Sequence, residues 1–437
     1  MKRGLALLLT VVLLLSLAAC GQKGSPAPAV PIVGGESFKP SKAVDVKLKH
    51  STDLMKNVQP EEIEKNQNLS ETGGPLTDFG VNLFQKSMRP GENTLVSPLS
   101  VLYALSMTAN GAEGDTLTQM EAVLGRDVQQ RNRWLHSYTE GLKGGNLFLA
   151  NAIWLKNDKG FSVEPEFLQT NANYYNAGIY KAPFDDTTCK EINDWIEGKT
   201  AGMVKNVLDE IPEEAIMYLV NALAFEAKWA EVYDEYQVRE ETFTTEDGET
   251  RDVELMYSDE SGWFLEDEMA TGFVKWYADY RYAFVALLPN EGAGVEEYVQ
   301  SLSEEHLQKL LREPQPYDVT AAIPKFETEF FADMGSVLEE MGMTDAFDSN
   351  LADFSRLGSH TDGNIYISRV LHKTFISVAE QGTRAGAATV VEAAPEAAPP
   401  GEPVERKEVI LDRPFVYMIW DMETNTPIFM GTLMDVA

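Results

Sequence analysis

The chain has 437 residues, 44% of them hydrophobic, and a formal net charge of −33. That apolar share supports a packed core and excludes a disordered chain, while so acidic a surface repels phosphate backbones and excludes nucleic acid as a partner. Of the two cysteines, Cys20 falls in a leader, so Cys189 has no partner for a disulfide or a cysteine-built zinc cage.

The leader comes first. Lys2 and Arg3 precede an apolar run over 5–17, too short for a comfortable membrane span, and Leu17, Ala18, Ala19 and Cys20 close it. This order of charge, apolar run and small residues reads as a secretory signal over 1–19. The L-A-A-C ending resembles the lipobox of bacterial lipoproteins, which implies cleavage before Cys20 and a diacylglycerol on its sulfur. The competing reading is an ordinary signal with a chance cysteine. The lipid would tie an exported chain to the bacterial cell surface or the periplasmic face of a membrane, each buried CH₂ contributing about 0.8 kcal/mol. Residues 20–75 are rich in Gly, Pro, Ser and charge and read as a flexible tether, since they carry too little apolar surface to offset chain entropy.

From 76 onward the pattern is that of one α+β domain, 76–437. Helical spacing begins near Thr77 with Phe79, Leu83 and Phe84. A second helix follows Ser97-Pro98, proline suiting the first helical position, and a third runs over 115–125 from Asp115 as N-cap to Gly125. Strands are expected at 147–155, 217–225, 283–288, 365–378, 414–420 and 427–433, with helices over 189–200 and 331–341. Helices early and strands late favour α+β over alternating βαβ units.

Residues 380–404 carry almost no large side chain, yet only about 33 residues follow, too few for a domain of their own. Those residues hold two strand runs that need a sheet supplied by the earlier chain, so 380–404 must leave the domain and return. Alternate positions Thr383, Ala385, Ala387, Thr389 and Val391 are small or β-branched, while Arg384 and Gly386 fall in the other set. As a strand, the segment would present a face small enough to enter a packed interior and keep its charge outside.

This segment resembles the hinge of a serpin: Glu380, Gln381, Gly382 and Thr383, then a run of small residues. Further serpin-like motifs lie in the family's order: Asn93, Ser97, Pro98 and Ser100; Gly111 to Thr116; Ile192, Asn193, Trp195, Thr200 and Gly202; Val220, Asn221, Ala222, Phe225, Lys228 and Trp229; Pro324 to Phe326; Met341 to Met343, Ala346, Phe347 and Ala352 to Ser355; Ile367, Ser368, His372 and Lys373; Arg413 to Phe415, Phe429 and Gly431. The likeness covers about 76–437. Departures are Met203 at an often basic position, Glu226-Ala227 for a usual Lys-Gly, Gly386 for a hinge alanine, and a loop several residues long before Pro414.

The resemblance implies helices packed around a large mixed sheet A, with smaller sheets B and C and an exposed reactive-centre loop at about 380–404. It implies an inhibitor and not an enzyme: a monomer without cofactor or metal that traps a serine protease, or a cysteine protease attacked in the same way, as a covalent 1:1 complex. In that family the cut loop inserts into sheet A. From Glu380 to the expected cut are 17 residues, roughly 55 Å of strand at about 3.3 Å each. Family spacing places the reactive bond at Glu396–Ala397, with Ala397–Ala398 as the alternative. The hinge is Glu380, Gly382, Thr383, Ala385, Ala387 and Thr389. Ser97, Ser100, Asn221 and His372 match the shutter under the sheet. A non-inhibitory serpin acting as a surface binding protein is the second reading, and a secreted hydrolase the third; no G-x-S-x-G elbow, metal motif or phosphate loop supports the third.

Overall fold

A computed structural model describes residues 41–64, 69, 74–142, 146–361, 363–383 and 405–436. Its organising element is the strand Met217–Phe225, in which every residue is buried. A strand covered on both faces reads as a continuous apolar run, and both covers are present here. Leu219 and Leu223 pack into the main core with the helix Pro98–Ala109, whereas Tyr218, Val220 and Ala222 pack with Ile192, Trp195 and Ile196 of the helix Asp186–Lys199.

Met217–Phe225 lies inside an eight-stranded mixed sheet, sheet A. It pairs antiparallel with Leu147–Lys156, which pairs parallel with Gly178–Ala182. On its other side it pairs parallel with Arg369–Ala379, in register from Arg369 opposite Tyr218 to Thr374 opposite Leu223. Phe326–Asp333 forms the far edge, antiparallel to Arg369–Ala379. Its inner positions are buried, while Glu327 and Glu329 face out, carboxylates that discourage pairing with another chain.

Two smaller sheets complete the body. Sheet B has the order Phe264–Glu266, Ala270–Trp276, Tyr282–Pro289, Phe415–Asp421, Thr426–Leu433, Thr94–Val96; sheet C has Arg406–Ile410, Asp318–Pro324, Thr250–Ser261, Val238–Thr244. The residues after 404 thus add one strand to sheet C and two to sheet B. This is the return the sequence required.

The strand expected at 217–225 and the helix after Ser97-Pro98 stand as read, with Pro98 opening a helix of twelve buried residues. Three readings differ. The helix Gly114–Leu124 is preceded by Glu113 at the cap position, and Asp115 sits in its first turn. The span 331–341 divides into the end of Phe326–Asp333 and a short helix Gly335–Glu340, because Phe326, Thr328, Phe330 and Ala332 alternate inward along a strand. The strand expected from 365 begins at Arg369: the Ile367 amide bonds Ala346 O (2.9 Å), and Ser368 Oγ accepts the Ile216 amide (3.1 Å).

The structure also differs from the expectation of a tether over 20–75, in residues 41–64, which lie along the body. The Ser41 amide donates to Glu226 Oε2 (2.9 Å), the Val44 amide to Gly198 O (2.9 Å), and Lys199 Nζ meets Asp45 Oδ1 at 2.6 Å. Lower down, Glu191 accepts the amides of Lys49 and His50 and the hydroxyl of Ser51 (2.5, 2.8 and 2.6 Å). Thr52–Asp53 then pairs antiparallel with Gly178–Ala182 and closes that edge of sheet A. Polar composition misled the reading because this segment is held by its backbone donors and by a few apolar contacts such as Leu48, Leu54 and Met55.

Burial alone would raise the Glu191 carboxyl; the hydrogen bonds from Ser51, His50 and Lys49 more than offset it and hold it below its ordinary 4.5. A depressed carboxyl stabilises above its unfolded value and loses that contribution as pH falls through the folded one. Residues 41–64 should therefore become protease-sensitive below about pH 4.5. Glu191→Ala should produce the same sensitivity at pH 7, removing about 2 kcal/mol of docking, or more than tenfold in the limited-proteolysis rate of this segment. An unchanged rate would contradict the role of Glu191.

Candidate functional site

Two buried constellations lie on sheet A, and together they contain the described residues expected of the shutter and the hinge: Ser97, Ser100, Asn221 and His372 in one, Glu380, Gly382 and Thr383 in the other. The first sits where the parallel strands meet. His372 stands opposite Asn221 in the register, and both side chains point toward the N-terminus of Pro98–Ala109. The Ser97 amide donates to His372 Nε2 (3.1 Å), which leaves the ring proton on Nδ1, donated to Asn221 Oδ1 (3.0 Å). Ser100 Oγ donates to the same oxygen (2.7 Å), Asn221 Nδ2 donates to Ser100 O, and Ser97 Oγ accepts the Ser100 amide (3.3 Å). All four residues are fully buried. The cluster is a closed ring of donors and acceptors stitching both strands to one helix cap. With its two nitrogens satisfied in the neutral form, His372 has no room for a second proton, and burial lowers it from its ordinary 6.5 to about 3.

The second constellation lies at the upper end of the same strands. Arg369–Ala379 runs up to a turn at Glu380-Gln381, after which Gly382–Thr383 pairs back antiparallel, Thr383 opposite Val378. The other side of Gly382–Thr383 pairs antiparallel with Ala227–Lys228, which continues the line of Met217–Phe225. Gly382 has φ +144°, and a Cβ there would fall 2.0 Å from Ala227 O, so only glycine fits. Thr383 is fully buried and shares a hydrogen bond of 2.5 Å with Tyr277 OH. Trp229 holds the turn, its indole donating to Ala379 O (2.8 Å) and its amide to Gln381 O (3.1 Å); the Tyr233 amide reaches Glu380 O (3.0 Å). Lys325 Nζ lies 2.8 Å from both Glu380 and Glu254.

Sequence reasoning missed the floor of this turn. Tyr277 stacks on Trp229 at 4.5 Å, and the ammonium of Lys275 lies 4.5 Å from the Tyr233 ring centre and 2.7 Å from Glu260. Lys275 is almost wholly buried, tolerable because it is both paired and set on aromatic faces. Trp229 stood in a recognised motif, but nothing in the local pattern of Lys275 or Tyr277 marks them as lining another segment. The motif residues Asn193 and Thr200 are structural: Asn193 Oδ1 accepts the amides of Val207 and Leu208, and Thr200 Oγ1 accepts that of Val204. They pin the chain that follows the helix over sheet A.

Cys20, Ala385, Ala387, Thr389 and both readings of the reactive bond, Glu396–Ala397 and Ala397–Ala398, lie outside the described residues.

The family model for serpin (serine protease inhibitor) matches residues 75–436. Serpin B9 of Homo sapiens is 30% identical over 358 residues, covering 78% of this chain and 93% of its own length. An uncharacterised serpin-like protein of Thermococcus kodakarensis is 29% identical over 439 residues, 98% of each chain. The crystal structure of a thermophilic serpin, tengpin, in the native state superposes with a TM-score of 0.84 at 43% identity, covering 89% of this chain and 100% of that one; in the latent state the TM-score is 0.75 at 42% identity, covering 86% and 100%. The chain belongs to the serpin family and has the serpin fold.

A histidine depressed on folding leaves stability intact above its unfolded value and withdraws it as pH falls toward the folded one. Between pH 6.5 and 5, His372 alone should cost the fold about 2 kcal/mol. His372→Gln should flatten that part of the pH profile of the urea midpoint; identical profiles would show that His372 is not held neutral.

Proposed function

We propose that this serpin is an irreversible, suicide-substrate inhibitor of a serine protease, or of a cysteine protease attacked in the same way. The observation that carries this reading is the pairing of Gly382–Thr383 between Arg369–Ala379 and Ala227–Lys228. It is the first rung of a strand antiparallel to both neighbours, and below it the two parallel strands lie directly against each other.

After attack at the reactive bond, the acylated residue ends a freed segment that begins in this seed. In the inserted strand, the same register would turn Ala385, Ala387 and Thr389 to the inward face with Thr383, and Arg384 and Gly386 outward. From Thr383 to Glu396 the added strand would run roughly 45 Å at about 3.3 Å per residue, carrying the protease from the upper to the lower end. To admit it, Met217–Phe225 and Arg369–Ala379 must part by one strand spacing, about 4.8 Å. The His372–Asn221 hydrogen bond must then break. The shutter ring is thus the latch that the incoming strand opens. Glu380, tied to Lys325, and Thr383, tied to Tyr277, fix where entry starts.

Lipidation of Cys20 and export to the cell surface or the periplasmic face of a membrane belong to the same proposal, supported by the charged, apolar and small-residue leader ending in L-A-A-C.

Incubation with a panel of serine proteases should yield a complex that survives SDS and a released C-terminal peptide beginning at Ala397. Thr383→Arg should be cleaved at a similar rate but trap at least tenfold less protease, because an uncompensated charge cannot enter the interior. Undiminished trapping by Thr383→Arg would sink the insertion mechanism. Cleavage of the unaltered chain with no trapped protease would favour a non-inhibitory surface serpin.

A further inference from the structure

The N-terminal segment enters the body beside the hinge. Ser41, the first described residue, is bonded to Glu226, the immediate neighbour of Ala227, which pairs with Thr383. From there the segment descends: Val44 and Asp45 meet Gly198 and Lys199 near the upper end of Asp186–Lys199, Lys49 to Ser51 meet Glu191 lower on that helix, and Thr52–Asp53 joins the sheet edge. The point at which the chain passes toward Cys20 therefore lies at the pole of the bait loop. Three separate contacts at residues 41, 44 and 45 hold it there, so the placement does not depend on a single hydrogen bond.

Cys20 and Ser41 are 21 residues apart, a span of at most roughly 75 Å at about 3.6 Å per residue. A body of this size is about 55 Å across. A lipid on Cys20 would thus pull on the loop pole and hold it, on average, nearer the membrane than the opposite pole.

We propose that anchor and bait share one pole, so that the reactive-centre loop faces the membrane that carries it and the partner is a protease bound at that same membrane. The inference rests on the proposed lipidation and inhibition. Loop insertion would then carry the trapped protease toward the far pole, away from the lipid. Glu226 gains a role that neither composition nor the hinge motif indicates: it seats the tether at the point of loop entry.

The test uses the full lipidated chain on phosphatidylglycerol–phosphatidylethanolamine vesicles containing an acceptor-labelled lipid. Donor dyes are placed singly at Tyr236→Cys or Leu351→Cys, both exposed positions. Tyr236 lies three residues beyond Tyr233, which bonds Glu380 at the loop pole. Leu351 belongs to the lower end, where the Asn364 side chain bonds Asn350 O and the Ser368 amide bonds Met217 O. Cys189 is buried and Cys20 is capped by the lipid, so each label is single. Energy transfer should be at least twofold stronger from position 236 than from 351. A glutamate-preferring serine protease, matched to Glu396 and given a lipid tail on the same vesicles, should be trapped at least tenfold faster than the same protease free in solution, and equal rates would overturn the membrane-bound partner.

Equal or reversed transfer in vesicle-bound protein would overturn the shared pole. Failure to co-sediment with vesicles would overturn it through the anchoring. Correct transfer with no trapping of either protease form would overturn the partner through the inhibitor reading, so the three failures are told apart.

Discussion

The structure depends on one arrangement: two parallel strands, Met217–Phe225 and Arg369–Ala379, lie side by side in register, with Gly382–Thr383 paired at their upper end. Parallel pairing is slightly less stable per residue than antiparallel pairing. A strand entering from Gly382–Thr383 would replace one parallel ladder with two antiparallel ones. Each hydrogen bond nets roughly 1 kcal/mol, so the gain over a strand of this length is on the order of 10 kcal/mol. On the proposed mechanism the described fold is held short of a deeper minimum by a barrier, and its persistence would be kinetic.

Several features would make that barrier. The His372, Asn221, Ser97 and Ser100 ring ties the strands to each other and to a helix cap in a dry environment, where breaking a hydrogen bond without replacing it costs most. Asp186–Lys199 covers the outer face of the sheet at the same level and is itself pinned by Asn193 and Thr200. Residues 41–64 lie across that helix and bind it to the sheet edge through Glu191 and Thr52–Asp53. At the point of entry, Trp229, Tyr277 and Lys325 hold the first loop residues in place. On the proposed mechanism, the same contacts that delay insertion would also aim it.

Much of this was legible in the sequence where a residue's own pattern carried the constraint. Met217–Phe225 reads as a strand because nine successive positions avoid charge, and Ser97-Pro98 announces a helix by cap chemistry. Thr383 was marked by the small-residue alternation and Gly382 by the resemblance to a serpin hinge, and the structure gives the physical reason: Ala227 O leaves no space for a Cβ at 382, and a packed interior receives the side chain at 383. What stayed hidden depends on distant partners. Lys275 looks like a surface lysine in a strand until Glu260 and Tyr233 are placed around it. Residues 41–64 look like linker because their anchors, Glu191, Gly198 and Glu226, lie more than a hundred residues away. The edge strand Phe326–Asp333 was partly mistaken for helix because a short helix follows it at once.

The measurement that bears most directly on this account is the heat stability of the chain before and after a single cut within 384–404. Insertion predicts that the nicked protein, its fragments still associated, melts at least 20 °C above the intact one and resists urea concentrations that unfold it. A nicked protein that melts at or below the temperature of the intact chain would contradict the claim that the described fold stores the free energy of an uninserted strand.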